Sequence, residues 1–155
     1  MASPHECATL LLTTIPALMH RLHDAVRRIE IDGETLTIGQ FRILAMLSVT
    51  AYTLRTLAAR HHVAPSTMSR SMRLLVQKAL VQRTVDPADG RQVLFTLTDA
   101  GRAVHTALRQ SIQDAILALF EQLTPAELGE VVDGLLVLQS LLSENEASIG
   151  TSVAC

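Results

Sequence analysis

The sequence has no tryptophan, one tyrosine and three phenylalanines, so aromatics make up only 3% of its 155 residues. Rings cannot dominate its interior. With 48% hydrophobic residues, the core must instead come from leucine, alanine, valine and isoleucine packed as helices. Cysteine is equally scarce. Cys7 and Cys155, near the two ends, make no disulfide framework, which fits a reduced cytoplasm. No apolar run is long enough to cross a bilayer: Cys7 to Met19 falls short, and no basic stretch precedes it. Neither a membrane anchor nor a secretory signal is expected. Internal repeats and low-complexity segments are missing. So are a nucleophile–base–orienter arrangement, a glycine-rich phosphate loop and paired carboxylates, so an enzyme is not expected and no cofactor is called for. The length suits one domain with a sizeable core.

Charge is low in sum and uneven in place. The net value is −2. Between Thr53 and Phe95 stand Arg55, Arg60, Arg70, Arg73, Lys78, Arg83 and Arg91 against Asp86 and Asp89, a local charge of +5 that leaves −7 for the rest. Such asymmetry is the footprint of a surface for an anionic partner.

That segment also carries the most regular pattern. From Pro65, apolar residues recur at Met68, Met72, Leu75, Val76 and Leu80, a helical stripe. Proline suits the first helical position. Ser66, Thr67, Ser69, Arg70 and Arg73 fall on the other face. Small hydroxyls and arginines on the N-terminal outer face of a helix suit a DNA major groove, where hydroxyls take phosphates or base edges and arginine pairs with guanine. A hairpin follows. Val81, Arg83 and Val85 alternate on one arm, Val93, Phe95 and Leu97 on the other, and Asp86-Pro87-Ala88-Asp89-Gly90-Arg91 forms the tip. A basic tip beside a basic helix outlines a winged helix–turn–helix.

The remaining segments read as helices. The first runs from Leu10 to Ile29, interrupted by Pro16, with residues 1–6 loose; Asp32-Gly33-Glu34 breaks the pattern. Thr37 and Gln40 make a capping box for a helix from Ile38 to Val49, with Phe41, Leu44, Ala45 and Leu47 inward. Tyr52 offers the wing a third strand, and Thr53 caps a short helix to His61. After the wing a long helix from Thr98 reaches about Gln122. Thr124, Pro125 and Glu127 restart the chain into a last helix ending near Leu142, with disorder expected from Ser143 on. The first, fifth and sixth helices are more apolar than one small subunit needs, and a second copy would cover them.

These residues resemble the MarR family of bacterial transcriptional regulators. The matching pieces are Leu57-Ala58, Ser66-Thr67-Met68-Ser69-Arg70, Leu80-Val81-Gln82-Arg83, Asp86-Pro87-Ala88-Asp89-Gly90-Arg91 and Leu97-Thr98-Asp99-Ala100-Gly101, and the likeness covers residues 15 to 143. The resemblance implies a mainly α fold with a small β-wing: six helices, a two- to three-stranded hairpin and a helical dimerisation region. It divides the single domain into a DNA-binding lobe, 37–98, and dimerisation helices, 8–36 and 99–143. The implied partners are double-stranded DNA, a second copy of the chain, and a small aromatic or phenolic effector. The implied function is a regulator, of repressor type, that binds a palindrome as a homodimer and is released by the effector.

On this reading Ser66, Thr67, Ser69, Arg70 and Arg73 face DNA. Arg91 enters the minor groove, where narrow A·T tracts attract arginine, and Asp89 holds Arg91 in place. Arg55, Arg60 and Arg83 are candidates for backbone phosphates, against an ordinary solvated surface. His20, His23, Phe41, Arg42 and Tyr52 are candidates for an effector pocket. His20, His23 and His105 make no ligand cluster of recognised spacing, so no metal is expected. One branch of the family senses peroxides through a cysteine in its first helix; counted back from the Thr37 helix, that position falls nearer Ile15 than Cys7. Two positions depart from the family pattern. Ala64 stands where serine often caps the recognition helix, and Ala79 where glycine usually follows it in a left-handed conformation. They leave a second reading open: a helical dimeric ligand-binding or protein-interaction module that has lost DNA binding.

Overall fold

A computed structural model describes residues 3–87 and 89–150. Its order is α1 (Pro4–Arg27), β1 (Glu30–Ile31), β2 (Glu34–Thr35), α2 (Ile38–Leu47), β3 (Tyr52–Thr53), α3 (Leu54–Arg60), α4 (Pro65–Gln77), β4 (Val81–Val85), β5 (Val93–Leu97), α5 (Asp99–Phe120) and α6 (Pro125–Gly150). Six helices and a small antiparallel wing are the expected architecture. The chain divides into two compact units, one up to Ala115 and one from Ile116 on.

Two helix boundaries differ from expectation by more than two residues. α1 starts at Pro4, not Leu10. Ser3 caps it by accepting the amide of Glu6 at 3.2 Å, and Pro4 takes the first helical place. Pro16 lies inside the helix; it donates no bond to the Leu12 carbonyl, but the flanking turns carry the helix through. α6 runs to Gly150 rather than stopping near Leu142. Glutamate and alanine in the stretch after Leu142 favour helix, and no proline or glycine intervenes before Gly150. The expected disorder of residues 151–155 lies outside the described residues.

The core sits under the middle of the chain. Leu44, Leu57, Met68, Met72, Leu75, Leu80 and Val81 are almost fully buried, with Leu36, Ile43, Leu47, Phe95, Leu97 and Leu108 beside them. The apolar stripe of α4 is thus its inner face. The box at the start of α2 is complete: Thr37 Oγ1 accepts from the Gln40 amide at 3.2 Å, and Gln40 Oε1 accepts from the Thr37 amide at 2.8 Å. Within α2, however, Ile43 is buried, whereas Phe41 and Ala45 are half-buried. Thr53 caps α3. Thr124 and Glu127 cap α6 reciprocally, and the two hydrogen bonds from Thr124 hold the Glu127 carboxyl below the usual carboxylate range.

Asp32-Gly33 does more than end a helix. Both residues have positive φ, 54° and 74°, and they turn a two-stranded hairpin, β1 against β2, with Ile31 opposite Glu34. The second sheet has the order β3-β5-β4, with Arg83 opposite Phe95 and Tyr52 opposite Phe95 on the other edge.

Candidate nucleic-acid interface

α3 and α4 are joined by a tight turn. His62 takes the left-handed conformation (φ 52°), its amide bonds to the Ala59 carbonyl at 3.1 Å, and Val63 N–H reaches Ala58 at 3.1 Å. This paired closure is a helix-end motif that usually carries glycine. Beside it, His61 Nε2 is buried with no hydrogen-bond partner among the described residues. Burial, then the nearby Arg42 and His62 charges, push the His61 pKa below its ordinary value, which favours the neutral ring.

α4 begins without a side-chain cap, as Ala64 implied. Neither Ser66 nor Thr67 takes over the role, and the missing cap costs about 0.5–2 kcal/mol. At the other end, Ala79 has φ 53°, its amide bonds to Val76 at 3.0 Å and that of Leu80 to Leu75 at 3.0 Å. The helix closes as it would with glycine, and the β-carbon adds about 1 kcal/mol of strain. Neither cost disturbs the outer face. Ser66, Thr67, Arg70 and Arg73 are exposed there and Ser69 is half-buried. Arg70 and Arg73 line a groove with Gln40, Leu74 and Gln77.

The wing leaves the core along its length. Val81 is buried, whereas Val85 and Val93, paired further out, are exposed. At the tip, Asp89 holds Arg91 through its backbone. Its carboxylate accepts from the Arg91 backbone amide at 3.1 Å and from Gln92 Nε2 at 3.0 Å. The Arg91 side chain stays exposed.

The basic residues separate into two groups. Among the described residues, Arg55, Arg70, Arg73, Arg83 and Arg91 have no ion-pair partner. Arg83 lies over the Phe95 ring, 5.8 Å from its centroid. Arg60 is held over the Tyr52 ring at 5.2 Å and donates to the Tyr52 hydroxyl at 3.4 Å. Lys78, counted in the local charge of +5, does not share the arginine face; it turns to Glu34 at 3.0 Å.

The five pocket candidates lie on α1, α2 and β3. His20 and His23 are exposed on α1, the first beside Asp24 at 3.5 Å and the second against the Met19 carbonyl at 2.7 Å. Phe41 stacks on His105 at 5.7 Å between centroids, an α2–α5 contact that sequence spacing could not reveal. Arg42 stands near His61, and Tyr52 lies under Arg60.

A helical pair with a tight turn, an arginine-bearing second helix and a β-wing behind it define a winged helix–turn–helix protein. Comparison with known proteins is consistent with this. Residues 34–92 match the model of the MarR family. RV1404 from Mycobacterium tuberculosis is 30% identical in its solved structure, with a TM-score of 0.78 over 90% of this chain and 94% of that one. A mutant MarR from E. coli shares the fold at 23% identity, TM-score 0.72, over 92% and 98% of the two chains. A mutant MepR from S. aureus, solved bound to an oligodeoxyribonucleotide, does so at 21% identity, TM-score 0.63, over 87% and 96%. YvnA of Bacillus subtilis (strain 168), an HTH-type transcriptional regulator, is 27% identical over 78 residues, which is 48% of this chain and half the length of that protein. The chain belongs to the MarR family of transcriptional regulators.

Proposed function

We propose that the chain is a cytoplasmic, sequence-specific DNA-binding regulator of repressor type that grips a palindromic operator as a homodimer. The observation that carries this reading is the pair of faces on α4. Met68, Met72 and Leu75 anchor one in the core, while Arg70 and Arg73 stand on the other, exposed and without acidic partners among the described residues. The MepR structure holding an oligodeoxyribonucleotide supports DNA as the partner of such a face. Ser66, Thr67 and Ser69 work beside the arginines, Arg91 reaches the minor groove, and Arg55, Arg60 and Arg83 serve phosphates. Of these three, Arg60 would first have to leave the Tyr52 ring.

Residues 37–98 act as the DNA-binding lobe, and 8–36 with 99–143 as dimerisation helices. Leu12 and Ile15 on α1 are 76% and 51% exposed, and Val137 and Leu142 on α6 are 63% and 61% exposed. Such apolar surface calls for cover, and a second copy supplies it symmetrically. A small aromatic or phenolic effector, taken near His20, His23, Phe41, Arg42 and Tyr52, would shift the spacing of the two recognition helices and weaken operator binding; it must bind one spacing better than the other.

The test is salt-dependent binding of the full chain to its own upstream region. Arg70→Ala should weaken one sequence by about 1–3 kcal/mol and relax specificity; Arg91→Ala should weaken all sequences more evenly and flatten the salt slope by about 1. Unchanged affinity in both variants rejects the proposal, and binding to a partner protein with none to any duplex would favour the interaction-module reading.

A further inference from the structure

Twelve of the thirteen cationic side chains are arginine, and the thirteenth is Lys78. It is placed unlike the others of the basic segment. Its side chain is 8% exposed, and its Nζ donates to the Ile31 carbonyl at 3.0 Å and pairs with Glu34 Oε2 at 3.0 Å. Ile31 and Glu34 face each other across the β1–β2 hairpin that links α1 to α2.

The next residue is fastened elsewhere. The Ala79 carbonyl accepts from Thr98 Oγ1 at 2.6 Å, and the Thr98 amide donates to the Leu80 carbonyl at 3.1 Å. Thr98 also caps α5, accepting from Gly101 N–H at 2.9 Å. Gly101 sits so close that a β-carbon there would meet the Leu80 carbonyl oxygen at 1.9 Å. The two residues that close α4, Lys78 and Ala79, are therefore tied to the connector after α1 and to the head of α5. Its first turn is held by the buried Met68 and by the turn from α3, without a side-chain cap from Ala64.

We propose that Lys78 and Thr98 are positioning residues that set the aim of the recognition helix from its far end. α4 has 13 residues. Ser66 lies about 18 Å from Lys78 along the axis, so a tilt of about 5° at Lys78 moves the side chains near Ser66 by about 1.5 Å, whereas a hydrogen bond tolerates only a few tenths of an ångström. Two ties on neighbouring residues, running to different elements, resist both tilt and rotation about the helix axis. The ammonium suits this place because it can donate to a carbonyl and a carboxylate together. Lys78 itself is too enclosed to serve a phosphate.

The proposal rests on the DNA-binding reading, and its test separates the two. Lys78→Gln and Thr98→Val, with Thr98→Ser and Lys78→Arg as conservative partners, are titrated as full chains on an upstream-region duplex and on random duplex across a salt series. Amide exchange in α4 is followed without DNA. The ratio of specific to random affinity should fall about tenfold in Lys78→Gln and Thr98→Val, the scale of one lost base contact, with the salt slope unchanged. Thr98→Ser should restore the ratio, and Lys78→Arg should restore part of it. Amides of residues 76–80 should exchange about tenfold faster in the two disrupting variants, while those of α3 keep their protection. Mere loss of folded protein would lower both affinities equally. An unchanged ratio, or a flatter salt slope in Lys78→Gln, overturns the proposal. If the parent chain binds no duplex, the DNA reading fails by itself, and unchanged exchange in both variants then overturns the clamp.

Discussion

The central segment and the terminal helices bury their apolar residues very differently. Among the residues whose burial is described, every buried apolar side chain except Ala25, Val26 and Leu108 lies between Leu36 and Leu97. α6, by contrast, buries none of the residues whose burial is described, and the first half of α1 exposes Leu10, Leu12 and Ile15. One region closes its own core and spends its outer surface on arginine. The other holds apolar surface that one copy of its own unit leaves open. The stability of the first should be independent of concentration, while that of the second should follow mass action.

Five substitutions would break or sharpen this contrast. The largest effect is expected at Leu75, which is fully buried: Leu75→Ala should cost about 2–5 kcal/mol in denaturant unfolding, at any protein concentration. Next comes Leu135, which lines an apolar groove on α6 with Val132, Leu138 and Leu142. Leu135→Glu should leave the lobe folded by circular dichroism yet raise the dimer dissociation constant about thirtyfold in sedimentation equilibrium. A chain that stays dimeric would contradict the proposed use of α6. Smaller gains are expected where the helix ends are strained or bare. Ala79→Gly should add about 0.5–1 kcal/mol by relieving the left-handed residue, and Ala64→Ser about as much by capping α4; operator affinity should hold in both.

The smallest effect concerns pH. Burial, and then the Arg109 charge, hold the His105 pKa below its ordinary value. The unfolded chain therefore takes up the proton first. This contribution is complete above about pH 6.5, declines as pH falls through that value, and levels off below the folded-state pKa. His105→Phe keeps a ring against Phe41 and should make the loss between pH 7 and pH 5 shallower in urea unfolding; an unchanged pH dependence would count against it.

Much of the lobe was legible because its signals are local. The stripe from Met68 to Leu75, the capping residues Thr37 and Thr53, and the Asp-Gly tip of the wing each act within a few residues. The errors arose where a local signal was overruled or a contact was distant. Ser3 caps and Pro4 opens the first helix, within residues expected to be loose. Asp32-Gly33 is a hairpin turn between strands of two residues each, too short to show alternation. Lys78 belongs by charge to the basic face, yet its partners lie 47 and 44 positions away, a separation that no periodicity reports. The stacking of Phe41 on His105 is distant in the same way.

The close approach of Gly101 to Leu80 has one more consequence. Where α5 leaves the wing, the main chains of Gly101 and Leu80 meet directly and the Thr98 hydroxyl bridges the Ala79 carbonyl and the Gly101 amide, so the angle of departure is set at the first turn of the helix. The exposed length of α5 is then free to change composition without redirecting the helix, whereas a single added methyl at Gly101 would have to pry the joint open.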